Sequence, residues 1–216
     1  MKLSIAWKAS ILVFIILVFD QILKFWVKTH MYIGQDFPVF GNWFLIHFVE
    51  NPGMAFGWEL GGKGGKTFLS LFRLAAIVVI IWYLRMLICE KAPKGFIICV
   101  SLVLAGAIGN MLDCAFYGLI FDTGTTYNTE LGDYDHYYSS ISQLSCNGYA
   151  PFLHGCVVDM LSFPIFRGTY PEWFPFKGGE PFLLFRPVFN IAESAVTIGV
   201  FSIILLYWGY LKTAGK

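Results

Sequence analysis

Four runs of this chain, about 5–27, 67–88, 95–116 and 187–210, are apolar for long enough to cross a bilayer as helices. A hydrocarbon layer of roughly 30 Å takes about 20 helical residues, and few structures can span it because every backbone polar group must find its partner inside the protein. Composition agrees: with 57% hydrophobic, 19% aromatic and 13% charged residues and a mean hydropathy of +0.65, the chain has too little polar surface to coat a soluble globule. Its net charge of +1, with Lys and Arg scattered, provides no field for nucleic acid and argues against that partner. The first run has an apolar core from Ile11 to Phe19 that continues through Ile22 and Leu23 with no small-x-small cleavage site, so it reads as a retained anchor. The expected fold is an all-α membrane protein of four crossings, one domain over residues 1–216.

Around the first crossing the positive-inside bias is balanced, with Lys2 and Lys8 before it and Lys24 and Lys28 closing it. The short second loop decides: Arg85, Lys91 and Lys94 stand against Glu90, and Lys212 and Lys216 follow the last crossing. Both termini are therefore placed in the cytoplasm, with the long loops, about 28–66 and 117–186, on the other side. The first of these carries an aromatic and β-branched run from Val39 to Val49, ending at Asn51-Pro52-Gly53, which reads as a small sheet at about 36–60. It is either a cradle for an extended peptide or a strand packed on the protein. In the second, Asp122 to Ala150 reads as an exposed insertion; its Asp133-Tyr134-Asp135-His136 cluster lacks EF-hand spacing and reads as a solvated turn. Beyond it, Trp173, Phe174, Phe176, Phe182 and Phe185 suit a headgroup layer, and Arg167 and Arg186 read as interfacial anchors or headgroup contacts. The His and Cys residues are dispersed, so no metal site is expected; a Cys146–Cys156 disulfide would fit an oxidising face but is not required. Ser101 and Ser194 lack a neighbouring Lys or His.

Acids in apolar runs are costly and mark candidate sites. Asp113 closes the third run, Asp159 interrupts Val157-Val158-Asp159-Met160-Leu161, and Glu193 lies in the fourth. Asn110 and Asp113 are three apart and share a helical face, as do Asn190 and Glu193. With Pro187 as first helical residue, Glu193 would lie roughly 9 Å down the axis. Asp20 precedes Lys24 by four, the favourable order, as a snorkelling surface pair or a functional one.

In order along the chain stand Asp20-Gln21-x-x-Lys24, Glu50-Asn51-Pro52-Gly53-Met54-Ala55-Phe56-Gly57, Gly106-Ala107-x-Gly109-Asn110-x-x-Asp113, Gly155-x-Val157-Val158-Asp159 and Phe189-Asn190-x-Ala192-Glu193-Ser194. Each is modest alone, but five in order over nearly the whole chain resemble lipoprotein signal peptidase, the type II signal peptidase of bacteria. The resemblance implies four crossings with a small periplasmic β-sheet cradle, to which this chain adds what its own composition marks as a periplasmic loop or helix insertion. It further implies a monomeric aspartic endopeptidase of the bacterial inner membrane, in contact with membrane lipids and using neither cofactor nor metal. Its active site would lie at the periplasmic face, cleaving diacylglyceryl-modified prolipoproteins just before the lipidated cysteine. Asp159 matches one catalytic aspartate; Glu193 stands where the family has the other and is one methylene longer. Asn110, Asp113 and Asn190 would hold the acids and substrate backbone, Asn51 and Gly53 would lie near the peptide, and Asp20 and Lys24 would support the site. Two more departures are Cys114, where the family motif Gly-Asn-x-x-Asp-Arg has arginine, and the insertion at 122–150, which compact members lack. Two alternatives stay open: a member disabled at the second acid that only binds lipidated precursors, and a non-catalytic membrane protein whose acids line a proton or solute pathway. The lack of an inverted repeat or a broken midplane helix argues against the second.

Overall fold

The computed structural model describes residues 3–53, 62–128, 130, 133–138 and 140–214. Four helical stretches have the length and apolarity of membrane spans, Ile5–His30, Gly64–Cys89, Lys94–Ile120 and Ile191–Lys212, so the chain is a multi-pass membrane protein. They belong to α1 (Ile5–His30), α2 (Gly62–Cys89), α3 (Lys94–Leu112) with its continuation, and α5 (Ile191–Ala214); the continuation is a π-helical turn, Asp113–Tyr117, followed by α4 (Gly118–Ile120). Of the α3 span 56% is buried in the protein, against 17% for each of the others, which makes α3 the axis of the bundle and leaves the other three facing lipid. Close approach of α3 to α5 needs Gly106, where a Cβ would meet the Ala192 carbonyl oxygen and the Val196 side chain.

The all-α expectation is corrected, because the described residues include eight strands. β1 (Asp36–Phe40), β2 (Phe44–Asn51), β5 (Val157–Ser162) and β8 (Val188–Phe189) form an antiparallel sheet in the order β1-β2-β5-β8. β3 (Thr126–Asn128) pairs with β4 (Asp133–Asp135), and β6 (Phe166–Thr169) with β7 (Pro181–Phe185). The expected sheet at 36–60 is present from Asp36 to Asn51, while the motif residues Met54, Ala55, Phe56 and Gly57 lie outside the described residues. These strands are short and lie in the loops, which is why hydropathy alone did not separate them from irregular chain.

The start of the last crossing is also corrected. Val188 and Phe189 pair with Ser162 and Leu161 of β5, so the ladder claims them and α5 begins at Ile191 rather than Pro187. Glu193 is thus the third residue of its helix, in the first turn, and not a turn and a half down it.

Nor is the insertion simply exposed or helical. Thr125 and Ser142 are buried, and Asp133 to Asp135 form a strand rather than a turn. The segment is tied down at Thr123, Thr125 and Tyr137 by Lys28 of α1, which is fully buried and ion-paired with the Glu50 carboxylate of β2. Lys28 also donates to the Thr123 carbonyl and the Tyr137 hydroxyl, each at 3.0 Å, and Glu50 accepts from the Thr125 N–H at 2.6 Å. A buried ion pair is tolerable only when such extra bonds satisfy it, and here the insertion supplies them. Cys146 is exposed and Cys156 buried, both as free thiols.

Candidate active site

Asp159 lies on β5 between Val158 and Met160. Strand alternation sends those two into the apolar cluster with Val27, Phe48, Tyr117 and Phe121 and turns Asp159, 5% exposed, to the opposite face. There Asn190 meets it. Asn190 Nδ2 donates to Asp159 Oδ1 at 2.7 Å, while Asn190 Oδ1 accepts the Glu193 N–H at 2.7 Å. Since a backbone N–H only donates, this second bond fixes which way the amide faces. Asn190 is therefore both the N-cap of α5 and the link between the two acids, and the three-residue spacing to Glu193 follows from cap geometry. Burial, and then the neighbouring Glu193 charge, push the Asp159 carboxyl well above the usual carboxylate range.

Beside them lies a charged triad with no exposure. Lys24 Nζ is 2.8 Å from Asp20 Oδ2, 2.7 Å from Asp113 Oδ2 and 3.0 Å from Asn110 Oδ1. This rules out the surface reading of the Asp20–Lys24 pair. Each acid of the triad holds one element of the site: Asp20 Oδ1 accepts the Ala192 N–H of α5 at 2.9 Å, and Asp113 Oδ2 accepts the Val158 N–H of β5 at 3.3 Å. These N–H groups are the immediate chain neighbours of Glu193 and Asp159. Asn110 Oδ1 takes a further bond from Asn190 Nδ2 at 3.1 Å, and the π-helical turn begins at Asp113. π-bulges of this kind recur at functional sites.

Asn51 and Gly53 lie apart from this network. Asn51 Oδ1 accepts the Gly53 N–H at 2.9 Å in a turn where Gly53 has φ 111°, and a Cβ there would lie 2.8 Å from Leu69. Asn51 pairs with Val157, two residues along the strand from Asp159, and among the described residues neither Asn51 nor Gly53 bonds to the acids. Arg186 donates to Ser162 at 3.0 Å and pairs with Asp36, so it clips the sheet to the chain entering α5; the Arg167 side chain lies outside the described residues. Ser194 and Ser101 donate to carbonyls of Asn190 and Ile97, and among the described residues no group of three metal-ligating side chains occurs.

Two residues escaped the sequence reading. Gln21 donates to Asp113 Oδ1 at 2.9 Å and accepts from Tyr117 at 3.1 Å; it stood in a motif but carries no charge to mark it. Arg73 of α2 donates to Cys114 Sγ at 3.1 Å, and its charge reaches Glu193. A guanidinium thus stands beside position 114 from a different helix, and a cation well inside an apolar crossing was the available signal.

Residues 12–209 match the protein family described as signal peptidase (SPase) II. The chain is 45% identical over 199 residues to a lipoprotein signal peptidase of Porphyromonas gingivalis, covering 91% of this chain and 80% of that protein. To a lipoprotein signal peptidase of Amoebophilus asiaticus it is 34% identical over 204 residues, 92% of this chain and 77% of the other. A solved structure described as a bacterial membrane enzyme shares the fold at a TM-score of 0.56 and 24% identity, covering 94% of this chain and 88% of that one. The chain therefore belongs to the signal peptidase II family, the membrane proteases of lipoprotein processing.

Proposed function

We propose that the chain is an intramembrane aspartic endopeptidase that removes the signal peptide of diacylglyceryl-modified prolipoproteins by cleaving just before the lipidated cysteine, with Asp159 and Glu193 as its acids. The observation that carries this reading is the single asparagine, Asn190, bonded to the Asp159 carboxylate on one side and to the Glu193 backbone on the other. Asn190 thereby sets the first turn of α5 beside Asp159, close enough for the Glu193 charge to raise the Asp159 carboxyl. Two such neighbouring carboxyls in a low-dielectric site resist joint ionisation and share one proton, whose titration belongs to the pair. Asn190 occupies Asp159 Oδ1, which leaves Oδ2 for that proton. The ionised acid takes a proton from the attacking water, the protonated one hydrogen-bonds the scissile carbonyl, and a proton then passes to the leaving amine.

Substrate would reach the acids along the sheet. Phe44 stacks on Phe163 at 4.8 Å and Phe163 on Phe189 at 5.6 Å, an aromatic path ending one residue before Asn190. Such a bed suits an apolar signal peptide presented at the periplasmic face of a bacterial inner membrane. The test is incubation of the purified protein with a diacylglyceryl-modified precursor, followed by mass spectrometry of the products. The expected products are a peptide ending just before the cysteine and a lipidated amino-terminal cysteine. Binding without cleavage would replace the enzyme by a precursor binder, and neither would favour a pathway protein.

A further inference from the structure

The insertion takes no part in the proposed chemistry, yet it walls a cavity of about 270 Å³ whose lining includes Lys66, Thr125, Tyr127, Tyr134, Tyr149 and His154. Lys66 stands two residues into the span that begins at Gly64, which places the cavity at headgroup depth. Tyr127 and Tyr134 pair directly across the β3–β4 ladder, their rings 5.3 Å apart and edge to face. Alternation puts Asp133 and Asp135 on the other face of that hairpin.

The hydrogen bonds around the cavity are one-sided. Lys66 Nζ donates to Cys156 Sγ at 3.4 Å and, among the described residues, has no carboxylate partner. The sulfur does not neutralise it, because burial pushes the Cys156 thiol up to about 12 and the S–H donates to the Thr125 carbonyl at 3.2 Å. The Tyr149 hydroxyl accepts the Cys156 N–H at 2.8 Å; burial raises this phenol, so it keeps its proton, for which the described residues offer no acceptor. His154 Nδ1 faces the Phe152 carbonyl at 3.0 Å and must carry the hydrogen, so Nε2 is left to accept from Thr67 at 3.1 Å. A cation and a phenol O–H therefore line one cavity with no carboxylate among the described residues to receive them.

We infer that this cavity is a headgroup site for an anionic phospholipid, the phosphate accepting from Lys66 and Tyr149 and the glycerol lying against Tyr127 and Tyr134. The volume fits a headgroup and leaves the acyl chains in the bilayer. Lys66 disfavours a terminal cation such as choline. The inference is independent of the peptidase reading, since none of these residues bonds to the two candidate acids.

Native mass spectrometry of the detergent-purified full chain, titrated with phosphatidylglycerol or phosphatidylcholine, tests it. One phosphatidylglycerol is expected to bind about tenfold more tightly than phosphatidylcholine. Lys66→Gln should weaken phosphatidylglycerol by about tenfold or more, the value of a lost charge-assisted hydrogen bond. Tyr149→Phe should weaken it severalfold, and Lys177→Gln, which removes an exposed loop charge, should not. Equal affinity for the two lipids, unchanged binding in both site variants, or an equal effect of Lys177→Gln overturns the inference and leaves diffuse charge attraction. Glycerol 3-phosphate competing as well as the whole lipid also overturns it, assigning a soluble phosphate instead. Circular dichroism of each variant shows whether it is folded; should Lys66→Gln be unfolded, unchanged binding by Tyr149→Phe alone overturns the inference.

Discussion

Lys24 is the residue on which both acid-bearing elements depend, because it neutralises Asp20, which holds α5, and Asp113, which holds β5. Lys24→Met is expected to cost roughly 3–5 kcal/mol, the penalty for leaving buried charges unpaired, and to appear as a lowered thermal midpoint in detergent together with lost turnover. Asp159→Asn should behave oppositely in stability. The Asp159 carboxyl is held well above the usual range, so the folded protein binds its proton more readily than the unfolded chain, and stability falls as pH rises past the ordinary carboxylate value of about 3.9. The asparagine variant should thus melt higher than the parent at pH 8, with the gap closing towards pH 4, while turnover drops by about 100-fold or more. A gap that does not change with pH would show that the carboxyl is not held up by burial. Asp159 and Glu193 were legible as candidates because a charge in an apolar run has no bland explanation. The depth of Asp20 and Lys24 was not, since a four-residue spacing predicts a pair without saying what covers it. Arg73 was missed although it too is a charge in an apolar run, because its partner Cys114 lies on another helix and no motif joins the two.

At the scale of elements, the site depends on where α5 starts. Its first turn carries Glu193, is capped by Asn190, is held by Asp20 and packs its Ala192 carbonyl against Gly106 of α3. Gly106→Ala should push α5 away from α3 and lower cleavage by more than tenfold while the protein still folds into its four crossings; full activity in this variant would mean the contact can relax without moving Glu193. The insertion offers a second check. Lys28→Met removes one half of the buried pair with Glu50, and hydrogen exchange in 122–150 should quicken while exchange in the crossings stays slow. The four crossings were readable because some 20 apolar residues leave little alternative. Pro187 misled as a helix start because Val188 and Phe189 pair with β5, a long-range choice that a local helix signal does not encode. The insertion looked solvated for a similar reason: the backbone of Thr123 and Thr125 and the Tyr137 hydroxyl are bonded to Lys28 and Glu50, which lie far away in sequence.

For the whole molecule, both termini inside and both long loops outside would place the acids near the outer membrane surface. Two exposed native thiols report on this, Cys146 in the insertion and Cys89 at the end of α2. A membrane-impermeant maleimide on intact cells should label Cys146 alone, and Cys89 only after the membrane is broken; the reverse order would invert the topology. The order of five short motifs already pointed to the family, and the match over residues 12–209 bears this out, whereas the use of glutamate at 193 is a question of chemistry rather than of fold. The measurement that bears most directly on the dyad is cleavage of a diacylglyceryl-modified precursor by the parent, Glu193→Gln and Glu193→Asp proteins side by side. The parent should cleave before the cysteine, the glutamine variant should fall by about 100-fold or more, and the aspartate variant should retain or gain activity. An active glutamine variant, or an inactive parent rescued by aspartate, would contradict the assignment of Glu193 as a working catalytic acid.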